Sequence, residues 1–147
     1  MRRQLLNVAV VACMLAAVSG AEAQPNPYVG QVRDGLQAIE ASLAEHGYSS
    51  THEFEIDSMD GNSTHRISFT LKKGRAYMLA SVCDADCGDV DLQVFDEQGN
   101  EAGDDSSADA AAIVAFTPQR TGVFTVEVTM AGCSTDPCFF GVGAFGK

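Results

Sequence analysis

The chain has 147 residues, with 20 Asp and Glu against 9 Lys and Arg, so its formal net charge at pH 7 is −11. This charge repels the phosphates of nucleic acids and the headgroups of anionic lipids, which excludes both as partners. It suits a calcium ion or a cationic partner, and the length is sufficient for one domain with its own core.

The first 23 residues are typical of a secretory signal peptide. Arg2 and Arg3 give a positive start, an apolar run follows to Val18, and the segment ends on the small-x-small pattern Ala21-Glu22-Ala23. The run is too short for a membrane span, so we expect cleavage after Ala23, a periplasmic or secreted protein, and no transmembrane segment afterwards. The alternative is a lipoprotein with Cys13 as the lipidated residue, which is less favoured because the apolar run continues past Cys13.

Residues 24–47 predict one amphipathic helix, from Pro27 to His46. Asn26 can cap its first turn, Pro27 suits that turn, and Gly47 suits the C-terminal cap. The apolar residues recur at spacings of three and four, which places them on one face: Val29, Val32, Leu36, Ile39 and Leu43. This face either packs on the rest of the domain or serves as a contact for oligomerisation, and the shortness of the segment favours packing.

After Gly47 the apolar residues alternate with a period of two, which indicates β-strands. Seven short segments show the pattern without an intervening helix, so residues 48–147 are predicted to form an antiparallel sandwich or barrel. The segments read HEFEID, HRISFTL, the stretch after KKGR, VDLQVF, AAIVAF, GVFTVEVTM and CFFGVGAF.

Two local hairpins are expected among these strands, because Asp60-Gly61 is a favoured hairpin turn and KKGR separates the next two segments. The predicted facing pairs are Phe54 with Ile67, Glu55 with Arg66, and Phe69 with Met78.

Four cysteines follow the leader, and an even count in an exported domain indicates two disulfides. Three connectivities satisfy the count. We favour the local pairs Cys83–Cys87 and Cys133–Cys138, because each pair flanks a segment rich in turn residues. These small loops predict disulfides that fix loop shape more than they hold the whole fold. A four-thiolate zinc site is the alternative, and an oxidising compartment argues against it.

From Ile67 onward the order of features resembles the bacterial pre-peptidase C-terminal (PPC-like) domain family. The segments that carry the resemblance are ISFTLKKGRAYML, GDVDLQVFDEQGN, AIVAFTPQRTGVFTVEV and FFGVGAF. The resemblance implies an antiparallel β-sandwich of jelly-roll type, here with one added N-terminal helix. It also implies a non-catalytic accessory module that accompanies secreted hydrolases, binds a polysaccharide or protein surface, and in some relatives binds calcium.

The segment from Val82 to Asp105 holds nine carboxylates and no Lys, Arg or His. Calcium needs six to eight oxygen ligands, several of them carboxylates, so the aspartates near the first cysteine pair are candidate calcium ligands: Asp84, Asp86, Asp89 and Asp91. The spacing does not fit an EF-hand loop, since position six is not Gly and position twelve is not Glu. The plain alternative is that these aspartates form turns by accepting hydrogen bonds from nearby backbone amides.

A second acidic group follows along the chain, and we predict that its segment is a solvated loop. Its members are Asp96, Glu97, Glu101, Asp104, Asp105 and Asp109. An up-and-down strand order would place it at the opposite end of the sandwich from the first group, whereas a Greek-key crossover could change this. Neither group shows the asymmetry of a glycosidase acid pair. His46, His52 and His65 have no recognisable nucleophile beside them in the sequence.

Three hypotheses follow. The first is an exported, non-catalytic binding or accessory module of the bacterial envelope, stabilised by calcium, with an envelope polysaccharide or protein as its partner and an undetermined oligomeric state. The second is a periplasmic or secreted hydrolase that uses the acidic loop. The third is an envelope scaffold that oligomerises through the N-terminal helix.

Overall fold

The computed structural model describes residues 25–147, so the predicted signal peptide and Cys13 lie outside the described residues. One helix, α1 (Pro27–Ala44), precedes nine strands, which confirms the prediction of an all-β fold with one helix. The strands are β1 (Ser49–Ser50), β2 (Glu55–Met59), β3 (Thr64–Leu71), β4 (Tyr77–Cys83), β5 (Cys87–Phe95), β6 (Glu101–Asp105), β7 (Ala111–Phe116), β8 (Gly122–Cys133) and β9 (Cys138–Gly146).

The strands form two antiparallel sheets that pack face to face. Sheet A has the order β1-β9-β4-β7, with β2 paired to β9 on the same side as β1, and sheet B has the order β3-β8-β5-β6. Between residues 55 and 146 the chain crosses from one sheet to the other at every connection except the β5–β6 turn. The orders β2-β9-β4-β7 and β3-β8-β5-β6 are those of a jelly roll, which two intertwined Greek keys produce.

Both predicted hairpins are wrong, because β2 and β4 lie in sheet A whereas β3 lies in sheet B. Arg66 faces Glu127 of β8 instead of Glu55, with 2.6 Å between Nη2 and Oε2. Phe69 faces Phe124 instead of Met78. A period of two determines which residues of a strand point inward, but it carries no information about the strand beside it.

Two of the nine strands were not predicted from the sequence. β1 has only two residues, and β6 (Glu101–Asp105) lies in the segment read as a solvated acidic loop. β6 is the outermost strand of sheet B, and its exposed acidic side chains leave no apolar alternation to detect. Charged side chains on an edge strand oppose pairing with other chains.

The main core lies between the two sheets. The inward residues of β5 are Val90, Leu92 and Val94, each with no exposed surface, whereas Asp91 and Gln93 between them are only partly buried. They share the core with Val126 of the neighbouring strand β8 and with Leu79, Phe140 and Val142 of sheet A. The period of two in the VDLQVF segment therefore corresponds to an alternation between buried and partly buried side chains.

Helix α1 forms a third layer on the outer face of sheet A. The Asn26 side chain accepts a hydrogen bond from the Tyr28 amide, and the helix ends at Ala44, two residues before the predicted end, with Gly47 at a positive φ of 84°. Val32 and Leu36 are fully buried against the sheet, where Gly141 leaves them room. The apolar stripe thus packs on its own domain, as the favoured alternative predicts.

Candidate functional site

One end of the sandwich gathers four loops, at residues 60–63, 84–86, 106–110 and 134–137, which we call the disulfide end. The Gly61 amide donates to Asp136 Oδ1 at 2.7 Å, which joins the first loop to the fourth. The Ser134 amide and hydroxyl each donate to the Asp86 carbonyl at 2.8 Å, which joins the second to the fourth. The jelly-roll crossings thus bring together segments that are far apart in sequence.

Both cysteine pairs lie in this end at disulfide distance, as the local pairing predicts. Cys83 ends β4 of sheet A and bonds to Cys87, which begins β5 of sheet B. Cys133 ends β8 of sheet B and bonds to Cys138, which begins β9 of sheet A. Each disulfide therefore connects the two sheets, a role that goes beyond the loop-fixing role expected from the short spacings.

Asp84 has a structural role in the first disulfide loop. Its side chain is buried, with 3% of its surface exposed. One carboxylate oxygen accepts a hydrogen bond from the Asp86 amide at 3.1 Å, and the other accepts one from the Phe139 amide at 2.7 Å. The carboxylate closes the turn and fastens it to β9, which corresponds to the turn alternative considered for this residue.

Asp89 and Asp91 project from the irregular first half of β5, where the register with β8 shifts on either side of Asp89. Asp105 of β6 pairs in register with Leu92 and joins them. Burial, and then repulsion by Asp89 and Asp105, raise the pKa of Asp91 above its ordinary value. Asp89 Oδ1 is buried and has no hydrogen-bond partner among the described residues. The members of this acidic cluster come from both of the acidic groups defined in the sequence.

Asp105 differs from its neighbour because its carboxylate is held by hydrogen bonds. The Ile113 amide donates to one oxygen at 2.8 Å, and the hydroxyl and amide of Ser107 donate to the other at 2.7 Å and 3.1 Å. These bonds lower the pKa of Asp105. Two neighbouring carboxyls therefore have pKa values displaced in opposite directions, an asymmetry that the sequence did not reveal.

Calcium binding stays a prediction. Within residues 25–147, no three His, Cys, Asp or Glu side chains form a group that could hold a metal ion. Of the four candidate ligands, Asp84 is committed to backbone amides, and Asp86 lines a shallow depression between the two disulfide loops. Asp89 and Asp91 are the two whose environment a cation would improve, because it would offset their mutual repulsion.

The opposite end of the sandwich consists of the turns at residues 72–76, 96–100 and 117–121, which we call the turn end. Asp96 forms the β5–β6 turn by accepting bonds from the amides of Gln98 and Asn100 and from the Asn100 side chain, and these bonds lower the pKa of Asp96. Glu97 Oε1 accepts from the Val123 amide at 2.8 Å. Asp96 and Glu97 do lie far from the first acidic group, whereas Asp105 and Asp109 lie beside it.

The Lys and Arg residues are distributed unequally between the two ends. The four loops of the disulfide end contain acidic residues and no Lys or Arg. The turn end and the C-terminal residue beside it contain five of the chain's nine basic residues: Lys72, Lys73, Arg75, Arg120 and Lys147. The two ends of the sandwich therefore differ in their content of basic residues.

The turn end contains a pocket of about 320 Å³ between the β5–β6 and β7–β8 turns. Phe116 and Phe124 contribute its aromatic floor, with ring centroids 5.3 Å apart. Glu97, Glu101 and Arg120 lie on its rim. Sequence reasoning missed this site, and the available signal was the pair of phenylalanines that flank the Thr-Pro-Gln-Arg-Thr-Gly turn.

None of the helices in the described part of the chain is long and apolar enough to cross a membrane. In comparisons with known proteins, no protein-family model matches this chain. No curated protein matches it either.

Proposed function

We propose that this protein is an exported, non-catalytic binding or accessory module of the bacterial envelope, related to the PPC-like family that its strand motifs resemble. The observation that carries the proposal is the pocket at the turn end, with its aromatic floor and charged rim. Concave sites with an apolar floor and a few convergent polar groups are where proteins bind small ligands or side chains. The jelly-roll strand order and the two cysteine pairs at disulfide distance support export and the family assignment.

Affinity capture from an envelope extract tests this function. The purified protein, immobilised, is expected to retain an envelope polysaccharide or protein and to release it chemically unchanged. The variant Asp34→Asn should retain the same component, because Asp34 is exposed on α1, and it serves as the control protein. Retention of nothing above a blank matrix, or recovery of the component only as cleaved fragments, would contradict a non-catalytic binding module.

Structural calcium is part of the proposal, with Asp89 and Asp91 as the ligands that benefit most. Millimolar calcium is expected to raise the melting temperature and a chelator to reverse the increase, because a ligand that binds only the folded state stabilises it by about 2.7 kcal/mol at a hundredfold excess over Kd. Magnesium is the comparison ion, since its smaller and stricter geometry suits this site less. A melting temperature that is the same in calcium and in chelator removes calcium from the proposal.

Hydrolase activity is the second candidate, because the fold brings the carboxyls of Asp89, Asp91 and Asp105 near one another. Acid–base hydrolysis needs one carboxyl that stays protonated and another that stays ionised. The candidate predicts turnover of an envelope polymer that disappears in Asp91→Asn, while Asp104→Asn keeps it because Asp104 is an exposed neighbour. A substrate screen without any turnover by the unaltered protein would count against this candidate.

A further inference from the structure

The floor of the turn-end pocket offers space for an apolar group. Phe116 is only partly buried, although it packs on Phe124 and its ring centroid lies 6.3 Å from that of Tyr77. An aromatic ring that is held from behind and open in front provides a rigid apolar surface with little entropy left to lose on binding. The pocket therefore selects for a ligand with an apolar body.

The rim carries both signs of charge, and these charges are not paired with each other. The Arg120 guanidinium donates to the neutral Gln98 side chain across the pocket. Glu101 accepts a bond from the neutral Gln93 side chain at 3.4 Å. Neither of the two ion pairs found within residues 25–147 involves these residues, and Glu97, whose Oε1 accepts from the Val123 amide, keeps its Oε2 free of hydrogen bonds from the described residues.

We propose that this pocket binds a small apolar zwitterion of the α-amino acid class, with its carboxylate on Arg120, its ammonium group on Glu97 and Glu101, and its side chain on Phe116 and Phe124. This assignment rests on the proposed binding function and names the ligand class of the same site. Arg presents a planar fork of donors that matches a carboxylate, and charge-assisted bonds of this kind are the strong ones.

The distribution of charge over the whole molecule supports a zwitterion over a simple anion or a simple cation. A net charge of −11 repels an anion from most of the surface, and the basic residues of the turn end offset this repulsion locally. A simple cation would leave Arg120 unpaired and would find more carboxylates at the disulfide end. Only a ligand with both charges satisfies both sides of this rim.

Calorimetric titration with matched probes tests the assignment. The probes are phenylalanine and leucine as zwitterions, their amides as cations, and their N-acetyl derivatives as anions. Each zwitterion is expected to bind at least about tenfold more tightly than its amide or its N-acetyl derivative, because each derivative loses one charge-assisted contact.

Two variants assign each charge to its partner on the rim. Arg120→Gln is expected to reduce the affinity for the zwitterion to that for the amide and to leave amide binding unchanged. Glu101→Gln is expected to weaken binding of the zwitterion and the amide and to leave the N-acetyl derivative unchanged. Arg33→Gln and Asp34→Asn, on exposed positions of α1, are charge-matched controls that leave every probe unaffected. All four are surface substitutions, and the melting temperature of each variant verifies its folding.

The assignment is overturned if the amide or the N-acetyl derivative binds as tightly as the zwitterion, or if no probe binds with a Kd below about 10 mM. Failure of the probes together with retained capture of an envelope component would leave the binding function intact and refute only the ligand class. Failure of the probes together with failure of capture would refute the binding function as well.

Discussion

At the scale of single residues, the carboxylates of this chain divide into those that hold the backbone and those that repel each other. Asp84, Asp96 and Asp105 each accept hydrogen bonds from amides of nearby segments. Asp89 and Asp91 of β5 differ from these. Asp89 has a buried oxygen without a hydrogen-bond partner among the described residues, and burial and repulsion raise the pKa of Asp91. The same residue type therefore stabilises one part of the disulfide end and opposes folding in another.

Asp84→Ala is expected to destabilise the protein by about 2–3 kcal/mol, because it leaves the amides of Asp86 and Phe139 without their acceptor in a buried place. Urea unfolding of the variant measures this loss. Asp104→Ala is the control: Asp104 is exposed and should change the free energy of unfolding by less than about 0.5 kcal/mol. Equal changes in the free energy of unfolding for the two substitutions would show that the hydrogen bonds of the Asp84 carboxylate do not stabilise the fold.

Asp91→Asn is expected to raise the stability at pH 7, because it removes a partly buried negative charge beside Asp89 and Asp105. Asp91 has its folded-state pKa above the ordinary value of 3.8, so its charged form weakens folding above that raised pKa. The gain over the unaltered protein should disappear as the pH falls through the raised pKa toward 3.8, where the native carboxyl is also neutral.

This profile is obtained from urea midpoints measured in the presence of a chelator, from pH 7 down to the pH at which acid alone unfolds the protein. Calcium provides the second reading, because a bound ion would convert the repulsion into attraction, and Asp91→Asn should then lose the calcium-dependent increase in melting temperature. A pH-independent difference between the two proteins would contradict the raised pKa.

At the scale of elements, the docking of α1 on sheet A depends on a glycine of β9. β9 carries glycines at positions 141 and 143, and a Cβ built on Gly141 would lie 2.6 Å from Val32 Cγ1 and 2.9 Å from Leu36 Cδ1. The helix can approach the strand closely only because this side chain is absent. The apolar stripe of the helix thus packs on Gly141, which follows it by more than 100 residues.

Gly141→Ala is therefore expected to destabilise the protein by about 1–3 kcal/mol through overpacking of the helix against the sheet. Gly30→Ala is the matched control on the helix itself, since a Cβ there meets nothing within 4 Å, and it should stabilise by up to about 1 kcal/mol. Thermal unfolding distinguishes the two. If Gly141→Ala leaves the melting temperature unchanged, the helix does not press on β9 as described.

At the scale of the whole molecule, the two ends of the sandwich differ in cross-links, charge and surface shape. The disulfide end is covalently joined across the sheets and lacks Lys and Arg in its loops. The turn end has no disulfide, carries most of the basic residues and holds the pocket. The pocket at the turn end and the covalent links at the disulfide end are thus separated by the length of the strands.

Removal of either disulfide is expected to lower the stability of the entire sandwich, because each one joins sheet A to sheet B. The variant Cys83→Ser/Cys87→Ser and the variant Cys133→Ser/Cys138→Ser should each lose about 2 kcal/mol by the chain-entropy estimate for loops of this size. The measurement is amide hydrogen exchange of β4 and β8 under native conditions. Faster exchange confined to the loops, with protected strands, would support the loop-fixing role instead.

How much of this could be predicted from the sequence differs from residue to residue. The inward face of β5 followed from alternation, because burial of every second side chain is a local property of one strand. The pairing of Arg66 with Glu127 could not be predicted, since the two residues are joined only by the closure of sheet B. The pocket was missed for the same reason: its lining comes from the β5–β6 and β7–β8 turns, which only the crossings bring together.

The sequence by itself determined the helix, seven of the nine strands and the strong negative charge, and it favoured the local cysteine pairs, because periodicity, capping and composition act over short distances. The tertiary structure alone decided which strands pair, that each disulfide joins two sheets, and that Asp91 meets Asp105. It also decided that Asp89, Asp91 and Asp105 meet near the disulfide end while the pocket and five of the basic residues lie at or beside the turn end. These properties depend on contacts between distant segments, and the physical cause is the burial of two sheets against each other and not any local preference of the chain.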